Sequence, residues 1–226
     1  MELTYYGHSC FLITTNGTRV LFDPFISPNP EAKDIDLKTI QPDYILLSHG
    51  HEDHVADTVE LAAQKDATVV GQPEVAGWFT GKGVKNTHQM NIGGNKKFDF
   101  GTVKMVNAIH SSSMPDGTYG GNPAGYVVQA EGKTIYFAGD TALTYDMKII
   151  GEQFAVDYAL LPVGDNFTMG PEDALTAAAW VKAKKTIAMH YNTFPPITID
   201  RKTVSGMAQK VNKELIFMEI GQTISI

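Results

Sequence analysis

The chain has 226 residues, of which 43% are hydrophobic and 19% charged, and its formal net charge is −7. These values are typical of a globular protein with a sizeable core, and the acidic balance argues against a general surface for nucleic acid or anionic membranes. The single cysteine, Cys10, excludes an internal disulfide and a cysteine-rich zinc site. No signal peptide and no apolar run of ~18 residues is evident, so we expect one cytoplasmic domain, residues 1–226, with no membrane association.

Strands, a loop and a helix are predicted in the first part of the chain. In order, they are strands within 3–25 with a hairpin turn at Asn16-Gly17, a proline-rich surface loop over 27–42, a buried strand at 44–47 and a helix at 55–65. Residues 48–54 therefore form a strand-to-helix loop.

The remainder of the chain alternates between strand and helix patterns. We predict a strand at 68–70, a helix at 73–80, a hairpin of 96–100 and 102–109, a long loop over 111–123, a hairpin of 126–130 and 133–137, a strand at 158–161, a helix at 171–185, a strand at 186–189, a helix capped by Asp200, and strands at 214–218 and 223–226. The two halves share a similar order, strand hairpins followed by strand–helix units. Loops as long as 111–123 are often functional.

The strand-to-helix loop holds four side chains that commonly bind metals, His49, His51, Asp53 and His54. Imidazole nitrogens and carboxylate oxygens suit Zn²⁺ and related ions. Three histidines and an aspartate within six residues are therefore best explained by a metal site. Gly50 and Glu52 are expected to be spacers, with Glu52 pointing away from the ions.

Three further strands run into residues that could complete such a site: His110, Asp140 and His190. A lone histidine or aspartate at a strand end is more often structural, but loops at strand ends can converge on one site. One ion would leave half of the seven side chains unused, so we predict two ions ~3.5–4 Å apart with a shared water. The predicted ligands are His49, His51 and His110 for one ion, Asp53, His54 and His190 for the other, and Asp140 between them.

The spacing H-x-H-x-D-H over residues 49–54 resembles the signature of the metallo-β-lactamase superfamily, and His110, Asp140 and His190 follow in that family's order. Asp23 resembles its first motif, in which the aspartate supports the metal loop without binding metal. The resemblance covers essentially the whole chain. It implies an α/β fold, a four-layer αβ/βα sandwich of two mixed sheets with outer helices.

Within that superfamily, the chain is similar to small metal-dependent hydrolases related to ascorbate-6-phosphate lactonase and, more distantly, to the N-acylphosphatidylethanolamine phospholipase D group. The stretches that carry this closer similarity are 91–94, 110–113, 164–170 and 190–195. The resemblance implies a binuclear hydrolase in which a metal-bridging hydroxide attacks a small ester, lactone or phosphodiester. Asp53 would also act in catalysis by orienting the nucleophile or moving its proton.

The cofactors implied are two divalent ions. The imidazole-rich ligands favour Zn²⁺, with Mn²⁺, Fe²⁺ or Ni²⁺ as alternatives. Substrate contacts are expected at His8, near the metal cleft, at Asp165 and Asn166, which follow a buried strand, and at Thr193, which follows His190. The partner is then a small-molecule substrate, and a homo-oligomer is left open.

Two alternative functions are weighed against this one. A nuclease or phosphodiesterase acting on nucleic acid is disfavoured by the acidic charge and by the lack of a basic insertion. A non-catalytic metal-binding sensor is disfavoured by the full ligand set. His51 stands where flavodiiron reductases have glutamate, and Asp140 stands where antibiotic-hydrolysing zinc enzymes usually have cysteine, so neither activity is expected. Fold and metals do not fix the substrate.

Overall fold

The computed structural model describes all 226 residues and contains two seven-stranded sheets. The strands of the first sheet are β1 (Glu2–Gly7), β2 (Cys10–Thr15), β3 (Thr18–Phe22), β4 (Tyr44–Leu46), β5 (Thr68–Gly71), β6 (Asn86–Gln89) and β14 (Thr223–Ser225). The strands of the second sheet are β7 (Asn95–Phe98), β8 (Gly101–Asn107), β9 (Ala124–Ala130), β10 (Lys133–Phe137), β11 (Tyr158–Pro162), β12 (Lys185–Met189) and β13 (Leu215–Ile216).

Both sheets are mixed and follow the same plan. The first has the order β14-β1-β2-β3-β4-β5-β6, antiparallel as far as β3 and parallel from β3 to β6. The second has the order β13-β12-β11-β10-β9-β8-β7, antiparallel from β7 to β10 and parallel from β10 to β13. The predicted similarity of the two halves is therefore confirmed.

Helices cover the outer faces of both sheets. They are α1 (Glu52–Val55), α2 (Thr58–Lys65), α3 (Pro73–Gly81), α4 (Asp146–Gln153), α5 (Pro171–Trp180) and α6 (Arg201–Lys210), with short 3₁₀ turns at Pro30–Ala32, Leu37–Thr39 and Pro195–Ile197. Helices α2 and α3 pack on β4, β5 and β6, whereas α5 packs on β11 between α4 and α6. This arrangement confirms the predicted four-layer αβ/βα sandwich. None of these helices combines the length and apolarity needed to cross a bilayer.

Alternation along the strands creates two buried layers. Phe11 and Phe22 face the second sheet and pack in the larger core cluster, which also contains Tyr126 and Phe137. Their neighbours in sequence face the opposite way, so Leu21 packs in a smaller cluster beneath α2 and α3. Successive side chains of a strand point to opposite faces, and a strand covered on both faces is therefore apolar throughout.

The predicted helix over 55–65 is wrong at its start, because two helices, α1 and α2, meet at Asp57. The Asp57 carboxylate accepts hydrogen bonds from the backbone nitrogens of Ile26 (2.6 Å) and Ser27 (3.0 Å), and its own nitrogen donates to Pro24 (3.1 Å). These bonds to the 24–27 loop replace helical ones and interrupt the helix.

The predicted helix over 171–185 is correct at its start but too long. It ends at Trp180, and Lys182 adopts a left-handed conformation (φ 53°) that turns the chain. Lys184 then pairs with Asp157 (2.8 Å), and Lys185 already lies in β12. Lys184 thus precedes the next strand and Lys185 begins it, so neither belongs to the helix.

Two elements were not predicted. The strand β6 is polar (Asn-Thr-His-Gln) and lies at the edge of its sheet, where apolar residues are not required. It therefore lacks the apolar pattern that indicates a strand. Helix α4 buries few side chains, mainly Met147 and Ile150, so its periodic signal is weak. Both elements are fixed by tertiary neighbours, which a local pattern does not reveal.

Candidate metal centre

The predicted ligands come together at one edge of the sandwich, beyond the carboxyl ends of strands from both sheets. The first sheet contributes His49, His51, Asp53 and His54, from the loop after β4 and from α1. The second sheet contributes His190 directly after β12, Asp140 after β10, and His110 in the turn beyond β8. Parallel strands explain the convergence, since their carboxyl ends meet at one edge.

Left-handed backbone conformations aim several side chains into this edge. His8 has φ 53°, Asp23 φ 41° and His190 φ 55°. Such values are uncommon for residues other than glycine, and they cluster at functional sites. The turns are joined to one another, because the His190 nitrogen donates to the His8 carbonyl oxygen at 2.8 Å.

One group of potential ligands consists of His49, His51 and His110, which each offer a nitrogen within 4.8 Å of the others. The Nε2 of His49 lies 3.0 Å from the Nδ1 of His51. The Nδ1 of His49 is engaged by the Ser48 hydroxyl at 2.9 Å, which leaves Nε2 for the centre. His49 is fully buried, whereas His51 and His110 are partly exposed at the cavity wall.

A second group contains Asp53, His54 and His190, together with His8, and its ligand atoms also lie within 4.8 Å of one another. The Oδ2 of Asp53 lies 3.9 Å from the Nε2 of His54 and 4.0 Å from the Nε2 of His190. His49 and His54 also form a third group of potential ligands with Asp23, so the two predicted groups meet at this pair of histidines.

Asp140 lies between the two groups. Its Oδ2 is 3.6 Å from the Nε2 of His110, 3.3 Å from the Nε2 of His54 and 2.9 Å from the Nε2 of His190. The side chain is almost completely buried. A single carboxylate oxygen therefore faces both sets of imidazoles.

The donor set fits a metal. The buried atoms His54 Nε2, His190 Nδ1 and Asp140 Oδ1 have no hydrogen-bond partner within the protein. Unpaired buried polar groups are costly, and a cation facing His54 Nε2 and Asp140 would compensate for their burial. Neutral imidazoles and carboxylates are also the ligands that Zn²⁺ prefers.

The electrostatics of the buried groups agree with this fit. Burial lowers the pKa of His49, which favours the neutral imidazole. Burial also lowers the pKa of His54, but the Asp140 and Asp53 carboxylates outweigh it and hold this pKa well above its usual range. For Asp140, burial raises the pKa, and the charges of His190 and His54 outweigh that effect and keep it ionised. The position facing His54 Nε2 therefore favours positive charge, which a metal supplies when it displaces the proton.

Asp23 supports the centre from behind, as the resemblance implied. The residue is completely buried. Its Oδ1 accepts from the Ser48 nitrogen (2.7 Å), and its Oδ2 accepts from the Ser48 hydroxyl (2.5 Å) and from the Nδ1 of His54 (2.7 Å). This bond places the His54 proton on Nδ1 and turns Nε2 towards Asp140.

His8 and Thr193, which were expected to contact substrate, do not line the cavity in front of the metal ligands. His8 is buried, with its Nε2 3.1 Å from the Oδ2 of Asp53 and its Nδ1 2.9 Å from the Thr193 hydroxyl. Burial is the main cause that lowers the His8 pKa, to about 4, so the ring is neutral at pH 7. A neutral ring that donates from Nε2 and accepts at Nδ1 fits both contacts, and the pair buttresses Asp53.

A cavity with a volume of about 590 Å³ opens in front of the ligands. Five of the predicted ligands line it: His51, Asp53, His110, Asp140 and His190. The other lining residues are Glu52, Ser111, Ser113, Met114, Pro115, Gly117 and Phe167. Glu52, expected to be only a spacer, is thus part of the wall. The position of Glu52 between His51 and Asp53 could have indicated that it lines the cavity. Nothing in the sequence around Phe167 indicates that this residue does so.

Asp165 and Asn166, predicted to contact substrate, do not line the cavity. Both have left-handed backbones (φ 62° and 55°), and the Asp165 carboxylate accepts from the Asn166 nitrogen at 2.8 Å. They form a tight turn whose next residue, Phe167, reaches the cavity. Of this loop, it is therefore Phe167, and not Asp165 or Asn166, that lines the cavity.

The 111–123 loop forms one wall of the cavity, and Gly50 permits its close approach. A Cβ at position 50 would lie 2.5 Å from the Sδ of Met114 and 3.1 Å from the Ser113 carbonyl oxygen. The Gly50 nitrogen also donates to the Ser112 hydroxyl oxygen at 3.1 Å. Gly50 is thus more than a spacer, because a larger residue would push this wall away.

Comparison with known proteins identifies the family. Residues 2–190 match the family model of the beta-lactamase superfamily domain. A UPF0173 metal-dependent hydrolase of Flavobacterium johnsoniae is 47% identical over 226 residues, which cover both chains completely. One from Lysinibacillus sphaericus is 50% identical over 231 residues, covering 100% of this chain and 99% of the relative.

Solved structures agree with these matches. Igni18, a metallo hydrolase from the hyperthermophilic archaeon Ignicoccus hospitalis, is 35% identical with a TM-score of 0.89, over 99% of this chain and 97% of that one. An isothiocyanate hydrolase from Delia radicum gut bacteria shares the fold at 21% identity, with a TM-score of 0.80 over 100% and 99% of the chains. Since the family model spans most of the chain and the relatives match its full length, the protein belongs to the metallo-β-lactamase superfamily, among its metal-dependent hydrolases.

Proposed function

We propose that this metal-dependent hydrolase holds two divalent ions, with Zn²⁺ preferred, and cleaves a small ester, lactone or phosphodiester. His49, His51 and His110 would hold one ion, Asp53, His54 and His190 would hold the other, and Asp140 would be shared. The observation that carries the proposal is the position of Asp140 Oδ2, within 3.6 Å of His110 from the first group and 2.9 Å of His190 from the second.

Hydrogen bonds to the Nδ1 atoms of His49 and His54 orient these rings towards the centre. Ser48 engages the Nδ1 of His49 and Asp23 engages the Nδ1 of His54, so that each ring presents Nε2 to the centre. Such outer contacts fix the tautomer and the ring orientation of metal-binding histidines. When bound, the two ions would supply an acidified water and a polarised substrate oxygen.

Asp53 would orient the attacking water as a hydrogen-bond acceptor at the cavity wall. Burial raises the pKa of Asp53, but the charge of His54 and the hydrogen bond from His8 outweigh it and keep this pKa below its usual range. A carboxylate with such a low pKa stays ionised at pH 7. It can therefore accept a hydrogen bond from water, but it is a weak base for taking up the proton. His8 and Thr193 would keep it in place.

Metal analysis coupled to a hydrolase panel tests the proposal. Protein reconstituted with Zn²⁺ or Mn²⁺ would be assayed on esters, lactones, phosphodiesters and, because the isothiocyanate hydrolase shares the fold, a small isothiocyanate. His51→Ala and Asp140→Ala should each lower kcat/KM by about 10³-fold or more, with the circular dichroism spectrum retained. His88→Ala in β6, away from the cavity, is the matched control and should keep full activity. A variant that loses metal and keeps full turnover would contradict the proposal.

A further inference from the structure

The cavity wall beyond the metal ligands constrains the substrate further. We propose that the group which the substrate carries beyond its reacting bond is apolar and bears no negative charge, an inference that rests on the proposed function. The residues of this wall are Glu52, Ser111, Ser113, Met114, Pro115, Gly117 and Phe167.

The first argument is the charge of the wall. None of the lining residues is Lys or Arg, and the one ionisable side chain outside the predicted ligand set is Glu52. Carboxylates and phosphates are normally recognised by Arg, Lys or several convergent donors. A negative charge at the reacting bond would face the metals, but a second one further out would meet Glu52. Substrates with a remote phosphate or carboxylate are therefore disfavoured.

The second argument is the exposed aromatic ring at the cavity wall. Phe167 is 55% exposed although it is a large apolar residue. Its turn is held firmly, because Asp165 donates to the Met169 carbonyl oxygen (3.1 Å) and Met169 donates to Thr141 (3.0 Å), next to Asp140. The backbone that carries Phe167 is therefore tied to the strand end that carries Asp140, and left-handed residues in that turn are typical of functional sites.

A second exposed apolar side chain, Pro115 of the 111–123 loop, lines the same cavity as Phe167. Its neighbour Met114 also lines the cavity but is only 2% exposed. A ligand anchored at the metals would remove apolar surface from water as its outer group covers Phe167 and Pro115, at roughly a fourfold gain in affinity per methylene covered. The volume of about 590 Å³ suits a small molecule of this kind.

Hydroxamates test this preference without turnover, since they bind the metals and carry an outer group of choice. The probes are acetohydroxamate, hexanohydroxamate and the monohydroxamate of adipic acid, whose outer end is a carboxylate. Titration calorimetry on the Zn²⁺-loaded protein gives a Kd for each. We expect hexanohydroxamate to bind about tenfold more tightly than the other two.

Variants assign the preference to the named side chains. Phe167→Ala should lower the ratio of hexanohydroxamate to acetohydroxamate affinity by about fivefold. Glu52→Lys should improve adipic monohydroxamate relative to hexanohydroxamate by about tenfold. Val211→Ala and Glu60→Lys, at exposed positions away from the cavity, should change neither ratio.

The outcomes separate the two proposals. The inference is overturned if adipic monohydroxamate binds as tightly as hexanohydroxamate, if no hydroxamate binds, or if Phe167→Ala and Glu52→Lys leave both ratios unchanged. If the probes bind in the expected order but the hydrolase panel gives no turnover, the hydrolase proposal fails and the preference of the cavity stands. If the panel shows turnover but the probes bind in the reverse order, the hydrolase proposal stands and the preference of the cavity is overturned.

Discussion

Asp23→Asn removes one acceptor from a completely buried contact of the metal centre. In the native protein, the Oδ2 of Asp23 accepts from the Ser48 hydroxyl and from the Nδ1 of His54. An amide NH₂ at that position would donate, so the His54 proton would have to move to Nε2, the nitrogen that faces Asp140. Flipping the amide instead would place NH₂ against the Ser48 backbone N–H, which donates to Oδ1 at 2.7 Å.

The expected losses of metal affinity and of stability follow from these contacts. Loss of an outer partner of a metal-binding histidine typically lowers metal affinity by about 10- to 100-fold, which is about 1.4–2.7 kcal/mol. Because the proposal assigns His54 to the ion held with Asp53 and His190, the loss should fall mainly on that ion. A buried donor left unpaired would also lower the free energy of unfolding by about 1–3 kcal/mol.

Zinc competition with a chromophoric chelator measures the metal affinity, and urea denaturation of the metal-free protein measures the free energy of unfolding. Asp57→Asn is the matched control, since Asp57 is also buried and accepts backbone hydrogen bonds but touches no histidine ring in the site. The control should lose stability and keep its zinc affinity. Wild-type zinc affinity in Asp23→Asn would refute the role assigned to Asp23.

Three further predictions address other contacts. His8→Ala frees the Oδ2 of Asp53 and should lower kcat about 10- to 100-fold with the metal content retained. An unchanged kcat would contradict the role of His8 in positioning Asp53. Gly50→Ala should lower the free energy of unfolding by about 1–3 kcal/mol, seen as a lower Tm, because its Cβ would overlap Met114; an unchanged Tm would show that the loop adapts. The N-terminal amino group, followed by hydrogen bonds from Asn16 and Thr15, lowers the pKa of Glu131 to about 2. Its contribution is thus complete above pH 4.5, its ordinary value, and is lost as the pH falls towards 2. Glu131→Gln should therefore be less stable at pH 7, with a difference in urea denaturation that shrinks below pH 4.5; a constant difference would contradict the ion pair.

Much of the fold follows from local chemistry in the sequence. The apolar runs became strands where they were predicted, and the Asn16-Gly17 turn joins β2 to β3 as expected. The meeting of the predicted ligands at one edge of the sandwich was also foreseeable, since the strands that end in ligand-type residues converge there. The break at Asp57 was not, because it depends on hydrogen bonds to a loop about 30 residues away in the chain.

Substrate contacts were harder to predict for a physical reason. Polar residues after a strand suggested a binding role for Asp165 and Asn166, yet their left-handed backbones make them the turn that presents Phe167. His8 was placed near the centre correctly, but whether it faces the cavity or the back of Asp53 depends on its backbone φ of 53°. Such orientations depend on three-dimensional packing, which spacing alone does not encode.

The central claim is that two metal ions share Asp140, and anomalous diffraction from crystals of the Zn²⁺-loaded protein tests it most directly. Data collected at the zinc edge should show two peaks about 3.5–4 Å apart. One peak should lie among His49, His51 and His110, and the other among Asp53, His54 and His190, with Asp140 between them. A single peak, or a second peak outside these residues, would contradict the account.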